Sequence, residues 1–170
     1  MCKLKDSGIV DTIIRSYRPD DEAAVVDFAL RAWEPVFVSM RDLMGPAIFQ
    51  LLHGDDWSEY QKAAIKRALA DDGMRTWIAE VDRQVAGFVA VHIADDRSLG
   101  EIYMIAVAPE HQNLGLGTTL TNFATDWMRE AGLPLALIGT GGDIGHAPAR
   151  RTYDKAGYTP MPIVNYYKAL

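Results

Sequence analysis

The sequence predicts a mixed α/β fold of the α+β kind, with a mostly antiparallel central sheet flanked by helices, and three observations carry the prediction. Three strand-like segments, RTWIAEV (75–81), QVAGFVAVHIA (84–94) and GEIYMIAVA (100–108), follow one another across short polar connections, the order of a meander. Apolar residues recur at helical spacing near 20–33, 58–73 and 114–128. A further apolar segment, LPLALIG (133–139), follows the last helix. With 170 residues, about half of them apolar, and no repeat, linker or low-complexity tract, residues 1–170 read as one sheet domain.

Each element has a local reason. TIIRSY (12–17) mixes β-branched residues with polar ones and stops before Pro19, which predicts a first strand. DDEAAVVDFALRAW (20–33) has acids in its first turn, where they complement the helix dipole, and Val25, Phe28, Ala29 and Ala32 on one face; Pro35 should end or kink it. Between 34 and 57, Gly45, Pro46 and Gly54 break two apolar runs into short helices and loops. The next helix, from Ser58, has a capping box in Ser58 and Gln61 and a stop at Gly73. Asp82 and Arg83 alone separate the first two meander strands, so a tight hairpin is expected. The third, 100–108, lacks clean alternation, as a central strand covered on both faces would. Pro109 ends it, and a helix from Leu114 runs through Leu116, Leu120, Phe123, Ala124, Trp127 and Met128 to Gly132. HAPARRTYDKA (146–156) reads as a short helix closed by Gly157, and IVNYYKAL (163–170) as a final strand.

Composition narrows the partners. No apolar run approaches the roughly 18 residues of a bilayer span, and none follows the N-terminal charges, so a soluble cytoplasmic protein with no membrane partner is expected. The single cysteine, Cys2, lies at an end expected to be mobile, and His53, His92, His111 and His146 lack ligand spacing, so no disulfide and no metal site are expected. Seventeen basic against 23 acidic residues, with no basic run, disfavour nucleic acid and favour a cationic partner.

The chemistry centres on EHQNLGLGTTL (110–120), a glycine-bearing turn between strand and helix. Amides at a helix start have no intrahelical partners and sit at the positive end of the dipole, so they attract anions, phosphates above all. A tight turn alone would also use glycines. Two phosphate motifs fail here: Gly117 is followed by Thr118 and Thr119 rather than by Lys and Ser or Thr, and Leu120 stands where a dinucleotide fingerprint needs Gly or Ala.

The run IYMIAVAPEHQNLGLGTTL resembles the central motif of the GNAT superfamily of acyl-CoA-dependent N-acyltransferases: a strand ending in Val and Pro, then Gln or Arg, two residues, Gly, any residue, Gly or Ala. Gln112, Gly115 and Gly117 match in register, and APARRTYDKAGY resembles the family's second signature. Together the two signatures and their surrounding elements span most of the chain. The resemblance implies a sheet whose central strands splay apart, here 100–108 and 133–139. It also implies acetyl-CoA (coenzyme A) as acyl donor, its pyrophosphate wrapped by the amides of Gln112, Asn113, Leu114, Gly115, Leu116, Gly117 and Thr118. Its pantetheine arm would pair with the backbone of Ile105, Ala106 and Val107, served by a bulge near Met104–Ala106.

N-Acyl transfer requires a neutral amine, donors to the developing oxyanion, and an acid for the leaving thiolate. By resemblance Tyr153 is that acid and points at the coenzyme sulfur. His146, seven residues earlier and so on the same helical side, replaces an Asn common in the family and is expected to touch the cofactor. Glu101 is the expected base, with Tyr103 on its face by strand parity; Asp143, in the glycine-rich GTGGDIGH loop, is the second candidate. That loop, with Gly139, Gly141, Gly142 and Gly145, could be a mobile acceptor loop. Arg150 and Arg151 either reach the coenzyme phosphates or are solvated.

By resemblance Trp33, Glu34 and Phe37 line the acceptor pocket. With Tyr103 and Asp143 they form the expected substrate-binding set, suited to an amine or ammonium group. The leading reading is an N-acetyltransferase that works through a direct ternary complex, since no cysteine is placed to carry the acyl group. The alternative is a non-catalytic acyl-CoA-binding or sensing module, and a purely structural domain ranks third. The acceptor, a small-molecule or peptide amine, is not specified by the sequence, and a homodimer could form through 163–170.

Overall fold

The computed structural model describes residues 12–170 together with the backbone of Cys2–Lys3. Its sheet has six strands in the order of the chain: β1 (Cys2–Lys3), β2 (Thr12–Ser16), β3 (Met74–Val81), β4 (Gln84–Ile93), β5 (Gly100–Val107) and β6 (Ala136–Ile138). All neighbours are antiparallel except β5 and β6, which are parallel. The mixed, mostly antiparallel sheet expected from the sequence is present. Cys2, expected at a mobile end, instead sits opposite Ile14 in the β1–β2 pair. Asp82 and Arg83 take φ of 51° and 65°, the two left-handed residues that let a two-residue turn match the strand twist.

Helices cover both faces. On one face α4 (Leu116–Glu130) packs Leu116, Leu120, Ala124 and Met128 against Val89, Val91 and Ile102. On the other, α1 (Glu22–Met44) and α3 (Trp57–Ala70) bury Val25, Phe28, Ala29, Ile65 and Leu69 against Ile78, Phe88, Ala90 and Ala106. Strand β4, fully buried from Phe88 to Val91, is the middle of this sandwich. A short α2 (Pro46–His53) joins α1 to α3, and α5 (Ala147–Lys155) lies beside α4.

Four expectations need correction. Helix α1 does not end at Pro35 but runs on to Met44. Pro35 cannot donate to the Arg31 carbonyl, yet it lies on the exposed side of the helix, where water can take that carbonyl. Helix α3 is capped by Asp56, whose carboxylate accepts from the Ser58 N–H at 2.8 Å and the Ser58 hydroxyl at 2.7 Å, so Ser58 is inside the helix and the Ser58–Gln61 capping box does not form. The strand expected over 133–139 is reduced to three residues. Finally, residues 163–170 form no strand: Ile163, Val164 and Tyr166 are exposed, and so short a β6 offers little edge to pair with.

The bulge expected near Met104–Ala106 lies one residue earlier. Ala90 pairs with Met104 and Val91 with Ile102, which leaves Tyr103 as the extra residue. The consequence reaches the site. Ile102 packs on the α4 face while Met104 and Ala106 pack on the α1 face, so the parity that would put Glu101 and Tyr103 on one face is interrupted.

Candidate functional site

Strands β5 and β6 part company early. Their register holds only from Gly100–Ala136 to Ile102–Ile138, so among the described residues the β5 edge from Tyr103 to Val107 has no strand against it. The stretch includes Ile105, Ala106 and Val107, whose other edge pairs with β4. The splay implied by the resemblance is therefore built into the sheet, and it leaves backbone donors and acceptors able to bond a ligand.

At the end of β5 the chain turns into α4. Residues Pro109–His111 make a 3₁₀ turn, and the Gln112 side chain folds back to donate from Nε2 to the Val107 carbonyl at 3.1 Å. Asn113 and Gly115 both adopt left-handed backbone, with φ of 62° and 85°, and Gly115 is the helix N-cap. The first bond into the helix runs from the Thr119 N–H to the Gly115 carbonyl at 3.0 Å. The amides of Leu116, Gly117 and Thr118 thus precede the helical ladder, with no side-chain cap and no acid in the first turn. Leu116 anchors the turn, its side chain buried under the sheet, while Leu114 is exposed. The two glycines differ in purpose. Gly115 is demanded by its φ. Gly117 is not: a Cβ there would meet Thr152 at an ordinary 3.6 Å, so what its bareness leaves free is space outside the protein.

The second glycine loop, 139–146, follows β6 and packs against α1 and α5. Asp143 caps the 3₁₀ turn Ile144–His146 and is the hub of a network. Its Oδ2 accepts from the Ser39 hydroxyl of α1 at 2.6 Å and from the Gly145 N–H at 3.0 Å, and its Oδ1 meets His146 Nδ1. Arg150 of α5 donates to the Gly141 carbonyl and, at 2.8 Å, to the Asp143 carbonyl. Burial by itself would raise the Asp143 carboxyl, but the Ser39 hydroxyl and then His146 outweigh it and hold the group below its ordinary range. Hydrogen bonds thus tie the loop to α1 and α5. Arg150 is committed to loop carbonyls, and Arg151 is exposed.

Tyr153, on α5, is half-buried, with its ring 6.5 Å from that of Tyr158. Burial, reinforced by Tyr158, pushes its hydroxyl up to about 12, so it holds its proton throughout the neutral range. Tyr158 in turn shares a 2.7 Å hydrogen bond with Thr125 of α4. Glu101 is partly exposed at the start of β5, with His92 of β4 directly across the strand pair. Tyr103 is half exposed at the bulge.

The acceptor-side residues divide. Glu34 is exposed; Trp33 is half-buried, its ring edge-on to Phe88 at 6.1 Å. Phe37 is a core residue, stacked on Trp57 at 4.3 Å and edge-on to Phe49 and His53, which removes it from any lining surface. Sequence reasoning missed Ser39, which no local motif flags, since it meets its partner across about a hundred residues of chain.

Comparison with known proteins agrees with this geometry. The acetyltransferase (GNAT) family profile matches residues 37–158, a span that takes in both glycine loops and Tyr153. The mycothiol acetyltransferase of Tsukamurella paurometabola is 32% identical over 150 residues, 86% of this chain and 48% of that protein, so the chain spans about half the length of this relative. The Bacillus subtilis protein YycN superposes with a TM-score of 0.67 over 94% of this chain and 99% of its own, at 13% identity. The PaiA N-acetyltransferase of Thermoplasma acidophilum, solved with coenzyme A, gives 0.61 over 85% and 87% at 16% identity. The structural likenesses speak to the fold; the profile, which covers well over half of the sequence, shows that the chain belongs to the GNAT acetyltransferase family.

Proposed function

We propose that this chain is an N-acetyltransferase that moves an acetyl group from acetyl-CoA to the primary amine of a small molecule within a direct ternary complex. The observation that carries the reading is the pairing of two unsatisfied backbone surfaces. The amides of Leu116, Gly117 and Thr118 stand at a helix start free of the ladder, next to a β5 edge with no strand against it. A diphosphate fits the first and an amide-bearing arm the second.

The donor supplies an activated acetyl carbonyl and a thiolate leaving group. The protein does the rest. Gln112 through Thr118 hold the anion, with Gln112 fixing the shape of the turn by its bond to Val107. Ile105, Ala106 and Val107 align the arm. Tyr153 keeps a proton available for the departing sulfur, as its raised pKa requires of an acid. Glu101 is the base that the sequence alone suggests, partly exposed at the start of β5, whereas Asp143, already accepting three hydrogen bonds and held low, is a poor proton acceptor. Trp33, Glu34 and Tyr103 remain for the acceptor.

Relatives named as mycothiol acetyltransferases favour a small-molecule amine over a peptide one. The test is thiol release from acetyl-CoA across a panel containing an amino sugar, a polyamine and an amino acid amide, with acetylated product identified by mass. Transfer to one class supports the reading. Binding of acetyl-CoA with no transfer to any amine supports the acyl-CoA-binding module instead. The homodimer rests only on the exposed apolar residues of 163–170, and sedimentation of the intact chain decides it.

A further inference from the structure

Ser39, Asp143 and His146 form a part-buried relay whose end is free. The Asp143 side chain is 8% exposed and His146 20%. Carboxylate and imidazole meet at Nδ1, while Nε2 has no partner among the described residues and is not closed off from solvent. Asp143 therefore selects the Nδ1–H form and leaves the lone pair on Nε2. Ser39 bonds the carboxylate and not the imidazole, so the arrangement does not activate the serine as a nucleophile; it fixes the carboxylate.

The fold makes room for this relay at some cost. A Cβ at Gly141 would lie 2.5 Å from Asp143 Oδ1 and collide with the His146 ring, and one at Gly145 would lie 2.7 Å from Ser39 Cβ. Both glycines are needed for the loop to close on α1. Arg150 then clamps the loop from the helix that also carries Tyr153.

We propose that His146, held by Asp143 and Ser39, is the catalytic base that takes the proton from the acceptor amine. The inference rests on the N-acetyltransferase reading and deepens it. As the amine nitrogen bonds the acetyl carbon and the carbon–sulfur bond breaks, the electron pair of that bond leaves on sulfur. One amine proton passes to Nε2, the Tyr153 hydroxyl gives its proton to the thiolate, and after product release the proton on Nε2 is lost to solvent while the tyrosinate regains one from it. The resulting imidazolium is stabilised by Asp143, which stays ionised. The charged groups bonded to this turn are Asp143 within it and Arg150 on α5, and Ser39 on α1 adds a neutral hydroxyl.

His146→Asn separates the base from a mere cofactor contact, because an amide can still donate to a ligand and to Asp143 but cannot carry the proton. With acetyl-CoA and the best amine from the screen, His146→Asn should lose roughly 100-fold or more in turnover. Coenzyme A affinity should stay within about twofold, and the rising limb of the pH profile should vanish. Ser39→Ala, which loosens only the positioning, should cost about tenfold and keep that limb. Nitrogen NMR of the resting protein should show His146 protonated at Nδ1 in its neutral form, a state lost in Asp143→Asn. Wild-type turnover in His146→Asn, or an Nε2–H tautomer in the resting protein, overturns the proposal while leaving acetyl transfer intact. A wild-type chain that fails to bind acetyl-CoA overturns both.

Discussion

Two glycine-rich turns follow parallel strands in this sheet, and they use glycine in opposite ways. After β5, the amides of Leu116, Gly117 and Thr118 precede the helical ladder, and a Cβ at Gly117 would meet only ordinary contacts inside the protein. After β6, residues 139–146 bond nearly everything within reach, and side chains at Gly141 or Gly145 would collide with Asp143, His146 or Ser39. The first turn is bare toward the outside and suited to holding a ligand. The second is bare toward the inside and suited to holding catalytic groups still. Composition alone does not separate the two; the direction in which the missing Cβ would point does.

The comparison can be broken most decisively at Tyr153, on the helix that the closed turn feeds. Tyr153→Phe is expected to lower kcat by about 100-fold while coenzyme A affinity changes less than about twofold. Equal losses in both would place Tyr153 in binding. Next comes Gly141→Ala, which forces the closed turn apart: about 1–3 kcal/mol of stability should go, a fall in Tm of several degrees, together with most of the turnover. Thermal melts that match wild type would show that the turn is looser than its contacts say. The smallest effect is alkaline. Tyr153 is raised from 10.0 to about 12 in the folded chain, so the unfolded chain ionises first and stability falls as pH rises between those values. Tyr153→Phe should blunt that fall in urea titrations at pH 10 to 12.

Much of the architecture was legible because it is local. Alternation and the Asp82–Arg83 turn give the hairpin, and Pro109 followed by Gly115 gives the strand-to-helix turn. The failures also have local causes. Pro35 reads as a stop, yet an exposed helix face tolerates a carbonyl without its N–H partner. The bulge at Tyr103 depends on the register against β4, which no single strand encodes. IVNYYKAL has strand composition, but a strand also needs an edge, and β6 offers three residues. On the site, the glycine turn before α4 was readable as a motif, whereas the Ser39–Asp143–His146 relay was not. Its members come from α1 and from a loop a hundred residues later, joined only by folding.

The most direct test of the claim that the open turn holds the acyl donor is titration calorimetry of coenzyme A against wild type and Gly117→Val. The account predicts micromolar binding by wild type, at least tenfold weaker binding by Gly117→Val, and closely similar melting temperatures, since a Cβ at this position meets only ordinary protein contacts. Equal affinity in the two proteins, or no binding by wild type, would contradict it.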